Sequence, residues 1–235
     1  MNLQIFNCKV DTFNVAVIAD DEFVGYTART TGKFWEDWIR DDIKQYYKPG
    51  TDILDIGANI GTHSLMFSEF GPVHAFEPIY HPVVKLNVEN NVLKHPITIY
   101  PFALSDVEQT VDIYIPMKTK YGAVNYGGTS IHRDKGALHD DETPFKCECH
   151  RLDDIYHGIP SIIKMDVERH ELYVLKGAVN TISTHKPVIY AEIYDPETSE
   201  VTKFIENLGY NTPILTHRDL CIFIPTSTHH PQIQS

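Results

Sequence analysis

Leu54-Asp55-Ile56-Gly57-Ala58-Asn59-Ile60-Gly61 is the stretch that decides how the chain is read. It ends the apolar run TDILDIG and opens IGTHSLMFSEFG, whose apolar residues recur at helical intervals up to Gly71, so it marks a strand turning into a helix. At such a turn the free backbone N–H groups and the helix dipole favour a negative group. Gly57 permits a tight turn against a ligand, and Gly61 lets the helix lie close to the sheet. A dinucleotide loop needs G-x-G-x-x-G to admit a pyrophosphate; here the spacing is G-x-x-x-G, and no P-loop lysine follows. The loop suits a nucleoside without a diphosphate.

The neighbouring segments extend that reading. VHAFEP is a second strand, and it ends at Glu77-Pro78, where doubly wound nucleotide folds place an acid against ribose hydroxyls. A carboxylate accepts two hydrogen bonds from a vicinal diol. HPVVKLNVENNVL reads as a helix and ITIYPFAL as a third strand, ending in Ala103-Leu104-Ser105-Asp106, a place for an adenine between an apolar wall and a polar edge. A strand-helix bend at the glycines and a turn-forming proline after Glu77 would explain each feature singly, but not their separation.

Further along, VDIYIP (111–116), FKCECHRL and IPSIIKMDV read as strands, and HELYVLKGAVNTISTH as one helix. PVIYAEIY is a strand, PETSEVTKFIENLG a helix, and two short strand candidates follow around TPILTH and CIFIPT. Upstream, a strand over Val15–Ala19 precedes a helix over 34–47, whose Phe34, Trp38, Ile39 and Ile43 share a face and which Pro49-Gly50 stops. The alternation predicts an α/β fold, Rossmann-like and doubly wound, with a mostly parallel sheet. The chain reads as one domain over 1–235, with a strand-and-helix extension at 1–48 and a loose tail at 227–235. The glycine-rich segment 117–144 reads as a lid or acceptor wall bearing Tyr121, Tyr126, His132 and Arg133, against the plainer reading of a long surface loop.

The quoted stretch DILDIGANIGTHSLMF, with HAFEP, ALSD and above all IIKMDVERHELYVLKGA, resembles the FkbM-type S-adenosylmethionine-dependent methyltransferases over roughly residues 30–195. The resemblance implies a class I methyltransferase fold with a C-terminal antiparallel strand, S-adenosylmethionine as cofactor, and methyl transfer usually to oxygen of a sugar, glycan or small molecule. By matching motif it assigns the cofactor to Asp55, Gly57, Asn59, Gly61, Glu77 and Asp166; Ala58, Pro78, Ala103, Leu104 and Ser105 complete the expected cofactor wall. In one place the chain departs from the family: Arg169 stands where glycine is usual, a position expected to have positive φ or to lie against a ligand.

Asp166, Glu168, His170 and Glu171 follow IIKM at the carboxyl end of a strand, where open α/β sheets bind ligands. Methyl transfer needs acceptor oxygen, methyl carbon and sulfur in line, and a hydroxyl acceptor must also lose a proton. Asp166 is therefore placed near the methionine amino group or the transferring methyl, with Glu168 or His170 as candidate base. Glu171 reads equally as a helix-start acid. Glu36 is placed on the 34–47 helix, reaching for the cofactor's amino group or lying on a solvated face. Glu192 interrupts an apolar strand and so must be partnered or functional. Asp166, Glu168, Glu192 and Asp195 would offer Mg²⁺ its oxygen ligands if they converged, but no metal is assigned.

Composition narrows the acceptor class. Of 235 residues 42% are hydrophobic, enough for a core; 32 acidic against 20 basic residues give a formal charge of -12, and no basic cluster offsets it. Nucleic acid is thereby disfavoured as partner. No run approaches the ~20 apolar residues of a membrane span. Cys147, Cys149 and His150 alternate across a strand without a second ligand pair, so they make no zinc site. Four irregularly spaced cysteines and no signal layout point to a reduced, cytoplasmic protein. Two other readings stay open: a protein or amine methyltransferase, and an inactive binding module of the same fold.

Overall fold

The computed structural model describes residues 3–132, 144–193, 195–216 and 220–226. Its N-terminal part is a hairpin of β1 (Ile5–Val10) and β2 (Phe13–Ile18), antiparallel with Cys8 opposite Val15, then α1 (Val24–Thr31) and α2 (Ile39–Tyr46). The 34–47 helix thus starts five residues late. Glu36 sits before it in a turn, at φ +55°, a left-handed backbone that a helix cannot contain. α1 has no counterpart in the sequence reading.

The central sheet then builds outward from β3 (Asp52–Ile56). The chain passes through α3 (Thr62–Phe67), β4 (Val73–Phe76), α4 (His81–Glu89) and β5 (Ile97–Tyr100), all on one side of β3. β6 (Ala103–Leu104), β7 (Gln109–Ile113) and β8 (Phe145–His150) form a separate three-stranded sheet, in the order β6-β8-β7. The expected third strand therefore breaks at Pro101-Phe102, and Ala103 and Leu104 pair instead with Cys149 and His150. The 111–116 strand is shifted to begin at Gln109.

The chain returns by α5 (Leu152–Ile155) to β9 (Pro160–Met165), which lies on the other side of β3. α6 (Glu171–Lys176) and α7 (Val179–His185) replace the single helix expected over 170–185. The break falls at Gly177, where a Cβ would lie 2.0 Å from the Ser105 carbonyl oxygen. β10 (Val188–Glu192), α8 (Glu200–Asn207), β11 (Ile214–Leu215) and β12 (Leu220–Phe223) complete the fold. The seven-stranded order is β11-β12-β10-β9-β3-β4-β5, with the first five strands in chain order parallel and β12 antiparallel to β10. The order reverses between β3 and β9, and such a switch point opens a crevice at the carboxyl ends of the strands.

Alternation along the strands divides the core between the two faces of this sheet. Ile53, Ile162 and Tyr190 face the hairpin, α2, α3 and α4, whereas Leu54, Ile56, Ile163 and Met165 face the other way. The hairpin shares the first of these cores through Val15, Val17 and Ile18. Asn87, fully buried on α4, fixes the arrangement. Its Oδ1 accepts from the Ala16 N–H at 2.6 Å, and its Nδ2 donates to the carbonyls of Ala16 and, at 2.7 Å, Ile60. One amide thus ties the N-terminal extension to the glycine loop.

Candidate active site

The glycine loop takes its shape from contacts behind it. Gly57 has φ +78°, and a Cβ there would sit 1.8 Å from the Asp166 carbonyl oxygen, so only glycine lets β3 and β9 end this close. Gly61 (φ +81°) opens α3 against Val84 of α4. Between them Asn59 is also left-handed, at φ +52°. Its N–H donates to Glu77 Oε2 at 2.9 Å, while Ile79 and Tyr80 N–H donate to Glu77 Oε1 at 2.8 and 2.9 Å.

Glu77 is therefore a buried carboxylate with three of about four acceptor positions filled by backbone. Burial pushes its carboxyl up to about 7, and the three N–H donors hold it from rising further. Glu77, Pro78, Phe76, Ala103, Leu104 and Val167 wall an apolar lobe of about 620 Å³ of empty space, mouth included.

A second lobe of about 1020 Å³ opens on the same loop, sharing Gly57, Asn59, Gly127 and Asp166 with the first. It is polar. Lys164 is buried on β9, directly across from Asp55 of β3, and its Nζ lies 3.2 Å from Asp166 Oδ2. Burial would depress that ammonium, but Asp166, Asp55 and Glu36 outweigh it and raise its pKa. Asp55 is fully buried and takes a hydrogen bond from the Ser64 hydroxyl. Burial raises its carboxyl, and Lys164 and Ser64 oppose the rise.

Asp166, Glu168 and Glu192 bring one carboxylate oxygen each within 4.8 Å of one another. Burial, then Asp166 and Glu171, push Glu168 up to about 7; burial, then Asp166 and Glu168, push Glu192 to about 8. Glu168 is held at φ +51°, and its carbonyl accepts from Ser130 Oγ at 2.8 Å.

Of the residues the sequence singled out, Glu36, Gly57, Ala58, Asn59, Glu77, Pro78, Ala103, Leu104, Asp166, Glu168 and His170 line one lobe or the other. Asp55, Gly61 and Ser105 stand behind the wall. His170 lines the apolar lobe, with Nδ1 3.1 Å from His132 Nε2 and Nε2 3.1 Å from Ser105 Oγ; burial, then His132, lowers it to about 4. Both ring nitrogens are thus engaged, away from the carboxylates. Asp195 does not join the acidic group and accepts instead from Thr198 Oγ1 at 2.6 Å. Arg169 has φ +74°, the conformation foreseen for that position.

Segment 117–132 is more ordered than its glycines foretold. Val124 bridges to Asp21, Tyr126 donates to Asp20 at 3.0 Å, and Tyr80 shares a hydrogen bond of 2.7 Å with Thr129. Tyr126 lines the apolar lobe, whereas Tyr121 is exposed. Arg133, the rest of the segment to 143, and the tail 227–235 lie outside the described residues. Lys164 and His63 are among the lobe-lining residues the sequence reading missed, as are Phe23, Trp35 and Asn125. Lys164 left a signal, a charge inside the apolar run IIKM, of the kind that drew notice to Glu192. His63 left none.

A doubly wound sheet with this order, a glycine loop on β3 and an acid ending β4 is the class I methyltransferase fold, and S-adenosylmethionine is the cofactor of that class. The site fits it. The apolar lobe ends at a buried carboxylate with acceptor capacity to spare, and the Asn59 Oδ1 beside it is buried and unpartnered among the described residues. The polar lobe offers carboxylates to a cationic sulfonium and amino group.

The methyltransferase FkbM domain matches residues 55–212, and the chain belongs to that family. Over 165 residues it is 28% identical to the hexuronic acid methyltransferase AglP of Haloferax volcanii; the match covers 69% of this chain and 65% of AglP. The crystal structure of methyltransferase FkbM from Methylobacillus flagellatus KT superposes with a TM-score of 0.52 at 19% identity, over 80% of this chain and 50% of that one. The chain therefore spans less than two thirds of either relative. No helix among the described residues is long and apolar enough to cross a membrane.

Proposed function

We propose that the protein transfers the methyl group of S-adenosylmethionine to a hydroxyl oxygen of a sugar or glycan. The observation that carries this is the meeting of Asp166, Glu168 and Glu192 on the polar lobe, across the glycine loop from Glu77. The cofactor supplies an electrophilic methyl on a sulfonium. Glu77 would hold the ribose edge, and Phe76, Leu104 and Val167 would flank the base. Lys164 fixes the direction of Asp166, whose carboxylate faces the cationic end of the cofactor.

Glu168 accepts the hydroxyl proton as the oxygen–carbon bond forms and the carbon–sulfur bond breaks. Its carboxyl, near 7, is matched to proton transfer at neutral pH. Asn125 and Gly127 of segment 117–132 line the lobe. The match to AglP supports a sugar acceptor, and the acidic surface argues against nucleic acid. The four cysteines are free thiols, in keeping with a cytoplasmic setting. No metal is assigned, because the Lys164 ammonium already supplies a cation at Asp166.

The test is incubation with isotope-labelled S-adenosylmethionine and a panel of hexoses, hexuronic acids, amines and peptides, read by mass spectrometry. Label on sugar oxygen supports the proposal. Label confined to amines or peptides moves the activity to nitrogen.

A further inference from the structure

We infer that the acceptor's sugar ring stacks on Phe23 and Trp35, which the N-terminal extension brings to the polar lobe; this rests on the sugar-acceptor reading above. Both side chains line the lobe that carries Asp166, Glu168 and Glu192. Phe23 leaves 40% of its surface exposed at the lobe. It is nonetheless held: its ring meets Trp35 edge-on, with centroids 5.8 Å apart at 63°.

The backbone around the pair is fixed from several sides. The Asp21 carboxylate accepts from the Gly25 N–H, and the Glu22 N–H donates to the Val124 carbonyl at 2.9 Å. Trp35 is followed by Glu36 at φ +55°, a left-handed conformation that a non-glycine residue rarely adopts, and Glu36 lines the cavity. His63, on the helix that the glycine loop opens, hydrogen-bonds the Trp35 backbone. Through His63 the platform is tied to the helix that the glycine loop opens.

A pyranose presents apolar C–H faces and a rim of O–H donors. The lobe answers both, with an aromatic surface for a face and carboxyl oxygens that accept from the rim's O–H groups. The family-matched segment begins at residue 55, so every residue assigned here to the adenosyl lobe falls inside it, and Phe23, Trp35 and Glu36 fall before it. A shared cofactor lobe and an acceptor platform drawn from the preceding extension is the division this sequence shows.

Trp35 and Trp38 are the two tryptophans of the chain, so a Trp38→Phe variant reports on Trp35 alone. It is titrated with methyl β-D-glucopyranoside and methyl β-D-glucuronoside, with S-adenosylhomocysteine present, while calorimetry follows the native protein and Phe23→Ala. The expected result is a saturable change in Trp35 emission. In Phe23→Ala, sugar affinity falls about tenfold and S-adenosylhomocysteine affinity stays within about twofold. Sugar binding by calorimetry with unmoved Trp35 emission and undiminished affinity in Phe23→Ala overturns the platform and leaves the sugar reading standing. Tight S-adenosylhomocysteine binding with neither glycoside bound overturns both.

Discussion

Glu77 and Glu168 both reach a carboxyl near 7, by different routes. Glu77 sits in a mostly apolar wall, its charge opposed first by burial and last by Asp55, and answered by three backbone N–H donors. Glu168 has other carboxylates for neighbours, so its proton is held by burial together with their like charge. The first arrangement fixes a carboxylate in place to receive a ligand. The second leaves a group whose proton is readily exchanged. Perturbed acidity marks a functional site, but the source of the perturbation distinguishes a holder from a base.

The sharpest way to break this comparison is Glu168→Gln. The amide keeps the shape and removes the base, so kcat should fall by about 10²–10⁴-fold with the cofactor dissociation constant unchanged. In the native enzyme kcat should rise about tenfold per pH unit up to about 7 and level above it, because only the ionised carboxylate takes the proton. The variant should lose that limb. The same shift carries the opposite sign for stability. Glu77, Glu168 and Glu192 have folded values raised above their unfolded ones, so the fold favours their protonated forms. Lowered folded values at His63 and His170 act the other way up to about pH 6.5, so the cofactor-free protein should melt at progressively lower temperature as pH rises from about 6.5 to 8. A flat melting profile would mean that the carboxylates are charged and paired already.

Lys164→Met tests the support beneath the base. It leaves Asp55 buried without its cation and Asp166 without its partner, a loss of the kind that costs about 3–5 kcal/mol. Chemical denaturation should show that loss at pH 8 and less of it at pH 5, where the stranded carboxyls take protons. Next in size is Glu77→Gln. It should weaken S-adenosylhomocysteine binding by about 1.5–3 kcal/mol, roughly 10- to 150-fold by calorimetry, with no pH limb added or removed in kcat. A Glu77 variant that altered the kcat profile, or a Glu168 variant that altered cofactor affinity, would collapse the distinction between the two regions.

How much of this was legible in the sequence follows the same division. The apolar lobe, to which the proposal assigns the adenosyl group, was readable as a unit because its parts are local: Gly57 to Gly61 make one turn, and Glu77 follows the very next strand. The short apolar runs TDILDIG and IPSIIKMDV contain the buried strands β3 and β9. The polar lobe was not readable as a unit, because its walls come from residues 23–36, 57–63, 125–127, 164–168 and 192, which only tertiary packing assembles. The same gap explains Asp195, three residues beyond Glu192 yet turned to Thr198, and the helix predicted over 34–47, whose propensity yielded to the turn that places Trp35 and Glu36. The third strand was misjudged at Pro101-Phe102. There Ala103 and Leu104 leave the main ladder for a small sheet that periodicity does not distinguish from it.

The glycine usual in the family where this chain has Arg169 implies either a left-handed residue or one lying against a ligand, and φ is +74° there, directly after Glu168 at +51°. Two successive non-glycine residues in this region are costly, and a side chain with a Cβ forfeits about 1–2 kcal/mol relative to one without. Arg169→Gly should recover part of that, offset by the greater freedom glycine gains in the unfolded chain, for a net gain of about 0.5–1 kcal/mol. Because the Arg169 charge lowers the Glu168 carboxyl, the same variant should move the kcat limb to higher pH. Arg169→Lys keeps the charge and the strain, and should leave both melting and limb in place. If Arg169→Gly stabilised without moving the limb, the arginine would serve the loop's shape alone, and the acidity of Glu168 would be the work of its burial and of the carboxylates around it.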